Sequence, residues 1–355
     1  MKKLVAVDAG KKDTKVCIFD EKTNTSTAFK FATKMSEGSF DDDALENNTA
    51  IVEIGDETFK IGAGAIKQAE LTSSKKSEIH KNSILTALAM CCEGDEVNEF
   101  HVAIGLPLNE WSDVKKRNDY KEYSLPEGEI KIRLKTRSDG PIMEKHFKIV
   151  SRYVFAESQG ALFLDNATEF IGQTTAVIDI GSLNINCTIW DAHELDKEAS
   201  LTDELGGNIL VSSLSQILSS AFSRCSESYV EKLLRLPPSE RYLHPTRPNK
   251  QIEEESKELI EKHLLDHVRE IRRKCDARKW SLDYMKLVFI GGTSDLLRNE
   301  ITEVFGNEVY IPKHPEYANA IGFLRILGVK TFHKDRGLLP MPELDTNKDT
   351  KKKAS

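Results

Sequence analysis

No long apolar run exists in this chain. The longest, around Ile84 to Cys92, is about nine residues, under half of what a bilayer-spanning helix needs. No secretory leader is expected either, because Asp8 interrupts Leu4-Val5-Ala6-Val7 too early for an apolar leader core. The six cysteines, at 17, 91, 92, 187, 225 and 275, make no Cys-x-x-Cys pair, so neither a zinc ribbon nor a thioredoxin-type redox site is indicated. Scattered thiols, expected free and buried, fit a reducing cytoplasm. The nucleophile elbow G-x-S-x-G is missing. So are the phosphate loop G-x-x-x-x-G-K-[ST] and the dinucleotide fingerprint G-x-G-x-x-G. His263 and His267 stand four apart, but Leu264 occupies the place where a zinc-protease helix carries glutamate. That pair is expected on a solvated polar face. Basic excess is also lacking: 50 Lys+Arg face 57 Asp+Glu, a net charge of −7, which argues against a broad nucleic-acid coat.

What is present is an ordinary globular composition, 39% hydrophobic and 30% charged over 355 residues. That length suggests about two domains and buries a sizeable core without staples. Lys3–Val7 reads as a buried strand, Asp8–Asp13 as a Gly-containing turn and Lys15–Phe19 as the return strand, which makes a hairpin. Residues of about 34–75 read as a small inserted subdomain with an alternating strand at Ile51–Ile54. A helix is expected from about Ser77 to Cys92, a buried strand over Phe100–Leu106, strands with polar turns over 129–155, and a helix opening at Glu157. Helices are further expected over about 209–222 and 252–274. The latter has apolar Leu259, Ile260, Leu264, Val268 and Ile271 at three-to-four spacing. The strand Lys286–Ile290 ends at Gly291-Gly292-Thr293, and a small-residue helix follows over 316–327.

The opening pattern returns. Thr175–Ile178 is an apolar strand, Asp179-Ile180-Gly181-Ser182-Leu183-Asn184 a turn, and Ile185–Trp190 the return strand. A strand–Asp-x-Gly–strand unit therefore occurs twice, 171 residues apart (179 − 8), and suggests two related α/β domains. Alone, either turn is an ordinary hairpin. As a pair, they offer phosphate-binding backbone N–H groups beside glycine and two carboxylates for hydrated Mg²⁺. Gly291-Gly292-Thr293, between a strand and a helix, suits a flat ring against backbone and an anion at a helix start. Gly206-Gly207 repeats that pattern more weakly. Glu157, after an apolar stretch, could orient or deprotonate an attacking water.

Together these residues resemble the superfamily of actins, heat-shock chaperones and sugar kinases, over residues of about 1–330. The first phosphate motif matches Val5–Gly10 through Lys15, and the first connecting motif matches Phe155–Phe163. The second phosphate motif matches Val177–Asn184, the adenosine motif Phe289–Thr293, and the second connecting motif Tyr317–Leu324. Within the superfamily the chain is most similar to the ParM-like bacterial actins that partition plasmids. Gly105-Leu106-Pro107-Leu108 and the glutamate at Glu157 are typical of that group.

The resemblance implies an α/β, duplicated actin-like (ribonuclease H-like) fold with a nucleotide cleft between two domains. Domain I would be 1–164 plus 318–340, domain II 165–317 with a subdomain over about 205–285, and 341–355 a disordered tail. It implies that Asp8 and Asp179 hold Mg²⁺ through water, and that Glu157 acts catalytically with them. Lys15, Lys11 and Gly10 would meet the phosphates from one side, and Gly181, Ser182 and Asn184 from the other. Gly206, Gly207, Gly291, Gly292 and Thr293 would flank the nucleoside. Lys11 and Ser182-Leu183-Asn184 depart from the usual residues at their positions. The implied cofactors are ATP, with GTP open, and Mg²⁺. The implied activity is a cytoplasmic ATPase whose filaments segregate plasmid DNA through a DNA-binding adaptor at the centromere, with no membrane and no broad nucleic-acid contact. A metabolic kinase of the same superfamily, acting on a small-molecule acceptor, stays open, as does a non-filament regulatory ATPase.

Overall fold

Lys3-Leu4-Val5-Ala6-Val7-Asp8-Ala9 is apolar on both faces, as a strand covered on two sides must be. In the computed structural model it forms β1 (Lys3–Ala9), with Leu4 to Val7 fully buried. The structure describes residues 2–42, 45–68, 74–94, 96–164, 170, 172–192, 194–332 and 337–344. The chain divides into two compact units, Met1–Asp165 with Asn319–Ser355, and Asn166–Ala318.

In the first unit β1 is followed by β2 (Asp13–Asp20), β3 (Thr25–Ala32), β4 (Lys34–Glu37), β5 (Thr49–Ile54), β6 (Glu57–Gly62) and β7 (Lys67–Gln68). Next come α1 (Glu78–Met90), β8 (Asn98–Leu106), α2 (Leu108–Trp111), α3 (Val114–Ser124), β9 (Glu129–Lys135) and β10 (Met143–Ala156). A 3-10 turn, Gln159–Phe163, closes this stretch. β1 pairs antiparallel with β2 in the register Asp8↔Lys15, and parallel with β8. β8 in turn pairs parallel with β10. The strands of 34–68, within the stretch of about 34–75 expected as a small inserted subdomain, join the same sheet, because β5 pairs antiparallel with β9. The core lies under α1, whose Ile84, Leu85, Leu88 and Ala89 are buried against Val5, Val7, Val102 and Ile104.

The second unit repeats the plan on a smaller sheet. β11 (Thr174–Ile180), β12 (Ile185–Asp191) and β13 (Glu194–Asp203) form a meander, and β14 (Lys286–Ile290) lies parallel to β11 on its other side. The helices are α4 (Gly207–Ala221), α5 (Glu227–Leu234), α6 (Lys250–Ala277), α7 (Gly292–Leu296) and α8 (Arg298–Phe305). The apolar stripe of α6 is buried through Ile260, Leu264, Val268 and Ile271, as its spacing predicts, while Leu259 is only half-buried. Its histidines are a correction to the expected solvated face. His267 is buried, and His263 Nε2 lies 2.8 Å from Ser213 Oγ on α4. All six cysteines are free and buried.

The chain returns to the first unit in α9 (Ala318–Phe332). The Gly322 position of α9 meets the backbone of Gly160 so closely that a β-carbon would lie 2.0 Å from the Gly160 carbonyl oxygen. Arg325 of α9 is buried and donates from Nε to the Leu339 carbonyl (3.0 Å) and from Nη1 to the Phe163 carbonyl (3.1 Å). Residues 343–344, expected in a disordered tail, instead form β15 (Glu343–Leu344), parallel to β3. Residues 345–355 of that expected tail lie outside the described ones. Among the described residues, no helix is long and apolar enough to cross a membrane.

Candidate functional site

The expected site residues fall into two clusters, one in each unit. The first stands at the carboxyl ends of parallel strands, where open α/β sheets bind ligands. Asp8 closes β1. Glu157 follows β10, its N–H donating to the Leu106 carbonyl at 3.0 Å and so extending the ladder with β8. β8 runs between those two strands and presents Gly105, where a β-carbon would lie 2.7 Å from the Phe323 ring and 3.6 Å from Asp8 Oδ1. The glycine thus leaves room for the Phe323 ring beside Asp8.

Sequence reasoning missed the residue that links the two carboxylates. Lys75, just before α1, is buried, and its Nζ donates to Glu157 Oε1 at 2.5 Å and to Asp8 Oδ1 at 3.3 Å. Burial alone would lower its pKa. The Glu157 and Asp8 carboxylates outweigh that and hold the ammonium well above its ordinary value. Nothing in Ser74-Lys75-Lys76-Ser77 marks one of its two lysines as the buried one.

Two neighbours complete this cluster. His80 on α1 is fully buried, with Nδ1 at 2.7 Å from Ser77 Oγ and Nε2 without a hydrogen-bond partner. Burial, then the charges of Lys75 and Lys11, push its pKa down to about 3. Tyr120 on α3 is buried, and burial is the main cause that raises its phenol to about 12.

The helix expected to open at Glu157 is instead a single 3-10 turn, entered through Ser158 at φ +73°. A non-glycine residue there is strained. Its N–H donates to Asn319 Oδ1 at 2.9 Å, an anchor that holds the turn. Gly10 turns the chain after Asp8, its N–H meeting the carbonyls of Asp8 (3.0 Å) and Asp13 (3.1 Å). The Lys15 ammonium lies over it, 3.2 Å from where a β-carbon would stand.

The second cluster gathers three segments that are distant in sequence. The turn after β11 closes with the Gly181 N–H on the Asn184 carbonyl (3.0 Å). The N-terminus of α4 docks onto this turn, the Gly207 N–H donating to the Gly181 carbonyl (2.9 Å) and the Asn208 N–H to the Ser182 carbonyl (2.7 Å). Those two helix-start donors are spent on the turn rather than left for an anion. Gly206 has a packing duty, since a β-carbon there would lie 2.3 Å from the Leu183 carbonyl carbon. Thr293 Oγ1 donates to the same Gly181 carbonyl at 3.0 Å. Gly291 adopts φ +92° and ψ 157°, backbone that side chains avoid. A β-carbon there would lie 2.5 Å from Asp179 Oδ1. Gly292 is the first residue of α7, and its β-carbon position stands 3.7 Å from Glu316 Cβ. Asp179, Gly181, Ser182, Asn184, Gly206, Gly207, Gly291, Gly292 and Thr293 thus form one neighbourhood.

This geometry can be set beside known proteins. The family described as actin like proteins N terminal domain matches residues 6–160. The chain carries an actin-like N-terminal domain in an actin-like two-domain fold. The Alp12 filament structure is 23% identical with TM-score 0.70, over 93% of this chain and 99% of that one. The archaeal actin homolog Ta0583 is 17% identical with TM-score 0.73, over 92% of this chain and 99% of that one. The same homolog is known in complex with ADP, at TM-score 0.68 over 90% of this chain and 97% of that one. A 15-stranded ParM filament from Clostridium botulinum is 19% identical with TM-score 0.68, over 92% and 99% of the two chains. Comparison with characterised protein sequences gives no significant match. In this actin-like fold the two Asp-x-Gly turns occupy equivalent places, each at the end of the first strand of its unit.

Proposed function

We propose that the protein is an actin-like, cytoplasmic ATPase that assembles into nucleotide-dependent filaments and segregates plasmid DNA through a DNA-binding adaptor. The observation that carries this reading is the duplicated strand–Asp-x-Gly–strand turn. In the first unit it is joined by Glu157, and in the second by Gly206 and Gly291, which pack the α4 and α7 starts against the turn after β11. The ADP complex of the archaeal homolog supports nucleotide binding, and the Alp12 and ParM filaments support self-assembly.

The donor set fits a hydrated magnesium ion. Asp8 and Glu157 already share one buried cationic group, and Mg²⁺ needs only one or two carboxylates when it keeps its waters. Bound there, Mg²⁺ would neutralise charge on the terminal phosphates. Asp8 in the first unit and its counterpart Asp179 in the second would each offer a carboxylate to the hydrated ion. Lys15, whose ammonium lies over Gly10, and Lys11 would meet phosphate oxygens. The 181–184 turn would face phosphate, and Gly291–Thr293 would line the base. Glu157 accepts a proton from the attacking water as its oxygen bonds to the γ-phosphorus. The bond to the β-phosphate oxygen breaks, and ADP and inorganic phosphate result. ATP drives assembly only by binding the polymerising conformation better than the other. Head-to-tail stacking then gives an open filament rather than a closed ring.

Right-angle light scattering with pelleting tests the reading in Mg-ATP, Mg-GTP, Mg-ADP and no nucleotide. Assembly in a triphosphate that decays as phosphate is released is the expected result. A monomer in every condition that turns over ATP only when a small-molecule acceptor is added would replace the filament with a metabolic kinase.

A further inference from the structure

Lys75 has no part in the function proposed above, yet it is the most deeply buried charged side chain among the described residues of the first unit. Its side chain is 4% exposed, and its two carboxylate partners, Asp8 and Glu157, are 10% and 13% exposed. Such a pair of carboxylates cannot sit together in a low-dielectric site without a counter-charge. One ammonium between two carboxylates leaves these three groups with a net charge of −1, so Lys75 offsets most of the repulsion and a further cation is still attracted.

The two contacts are unequal. Lys75 Nζ is 2.5 Å from Glu157 and 3.3 Å from Asp8, so the bond to Glu157 is the tight one and the contact to Asp8 is the loose one. Glu157 sits beside Ser158, whose N–H is anchored on Asn319 but whose buried Oγ makes no hydrogen bond, so Ser158 does not hold the Glu157 carboxylate and the Lys75 ammonium does.

Resting on the ATPase reading, we propose that Lys75 is a tethered cation and a positioning residue. It neutralises the Asp8–Glu157 pair while no metal nucleotide is bound. It surrenders Asp8 when Mg²⁺ arrives, and keeps Glu157 aimed at the attacking water. Lys75 and Mg²⁺ therefore compete for Asp8 while cooperating on catalysis. The immediate consequence concerns the nucleotide-free protein, where the lysine makes added Mg²⁺ nearly irrelevant to stability. Without its charge, two buried carboxylates are left facing each other, and a free divalent ion becomes the available counter-charge.

The test uses the full chain without nucleotide, melted in EDTA and across a MgCl₂ titration to several millimolar. Four forms are compared: parent, Lys75→Met, Lys75→Arg, and the double variant Lys75→Met with Glu157→Gln. The parent is expected to melt at the same temperature throughout. Lys75→Met melts lower in EDTA and recovers with Mg²⁺, its apparent Mg²⁺ affinity at least about tenfold above the parent's by the linkage of melting to ligand. Lys75→Arg restores the flat response. The double variant, with one carboxylate charge removed, melts above Lys75→Met in EDTA, which keeps the test decisive if the single variant folds poorly.

A second readout is ATP turnover with a fluorescent ADP titration. Lys75→Met is expected to lose turnover by about 10²-fold, within the range of misaligned general-base catalysis, with ADP affinity within about threefold of the parent's. The proposal is overturned if Lys75→Met melts like the parent in EDTA and ignores Mg²⁺, if the double variant is no more stable than the single one, or if turnover survives. A parent that binds and hydrolyses no nucleotide would defeat the ATPase reading instead, while the Mg²⁺ melts would still decide whether Lys75 is the resident cation.

Discussion

Gly291 and Gly306 allow backbone strain and steric overlap to be measured apart. Both hold backbone that side chains rarely adopt, φ 92°, ψ 157° at Gly291 and φ 95°, ψ 170° at Gly306. Alanine at either costs about 1–3 kcal/mol of strain. Their surroundings differ. Nothing lies within 4 Å of a β-carbon at Gly306. At Gly291 that carbon would lie 2.4 Å from the Ile180 carbonyl oxygen and 2.5 Å from Asp179 Oδ1. The end of β11 must therefore move by several tenths of an ångström, an overpacking cost of about 1–3 kcal/mol more. For a body of this size each kcal/mol lowers Tm by about 2–4 °C. Gly291→Ala is thus expected to melt about 4–8 °C below Gly306→Ala, taking the middle of the overpacking range. Because Asp179 and the 181–184 turn are what moves, only Gly291→Ala is expected to lose nucleotide affinity, by tenfold or more. Thermal melts and a fluorescent-nucleotide titration of the two variants check this. Equal melting temperatures, or unchanged affinity in Gly291→Ala, would refute the argument that this glycine is required by the closeness of β11.

Four further outcomes are expected. Glu157→Ala should still assemble with Mg-ATP but hydrolyse about 10²-fold more slowly, so its filaments should persist in light scattering; decay at the parental rate would sink the catalytic role. Asp179→Ala should lose nucleotide-dependent pelleting, and normal assembly by it would count against the metal assignment. Arg325→Met should cost about 3 kcal/mol, since it strips charged donors from the Leu339 and Phe163 carbonyls. It should also expose the segment of 337–344 to limited proteolysis, and parental resistance would refute that link. Acid should act through His80 and His267, whose pKa values burial lowers to about 3 and about 4. Both stay neutral in the fold while the unfolded chain takes up protons below about pH 6.5. Stability is therefore full above pH 6.5 and falls as pH drops, by about 2 kcal/mol per histidine at pH 5. Denaturant unfolding at pH 7 and pH 5 measures the loss, and equal stability at the two would refute it.

Elements whose signal is local are legible in the amino-acid order alone. The paired hairpins are, because an apolar strand, a Gly-containing turn and a return strand are written within about 20 residues, and each forms with Asp8 opposite Lys15 or Asp179 opposite Asn186. The stripe of α6 is as well, since Ile260, Leu264, Val268 and Ile271 repeat at helical spacing and are buried together. The same stripe gives no warning that His267 joins the buried side. Its partner surface on α4 and the loop before it is brought there only by folding.

By itself, then, the sequence determined the duplicated α/β plan, the two carboxylate turns and the order of the motifs, because strand, turn and helix patterns depend on near neighbours. Tertiary structure alone decided the rest. It joined the strands of 34–68 to the main sheet through β5 and β9, and spent the Gly207 and Asn208 N–H groups on the 181–184 turn. It also chose Lys75 over Lys76 to stand between Asp8 and Glu157, contacts 67 and 82 residues away along the chain. Charge pairing in a buried site depends on which groups lose water together, and that is settled only when distant segments pack.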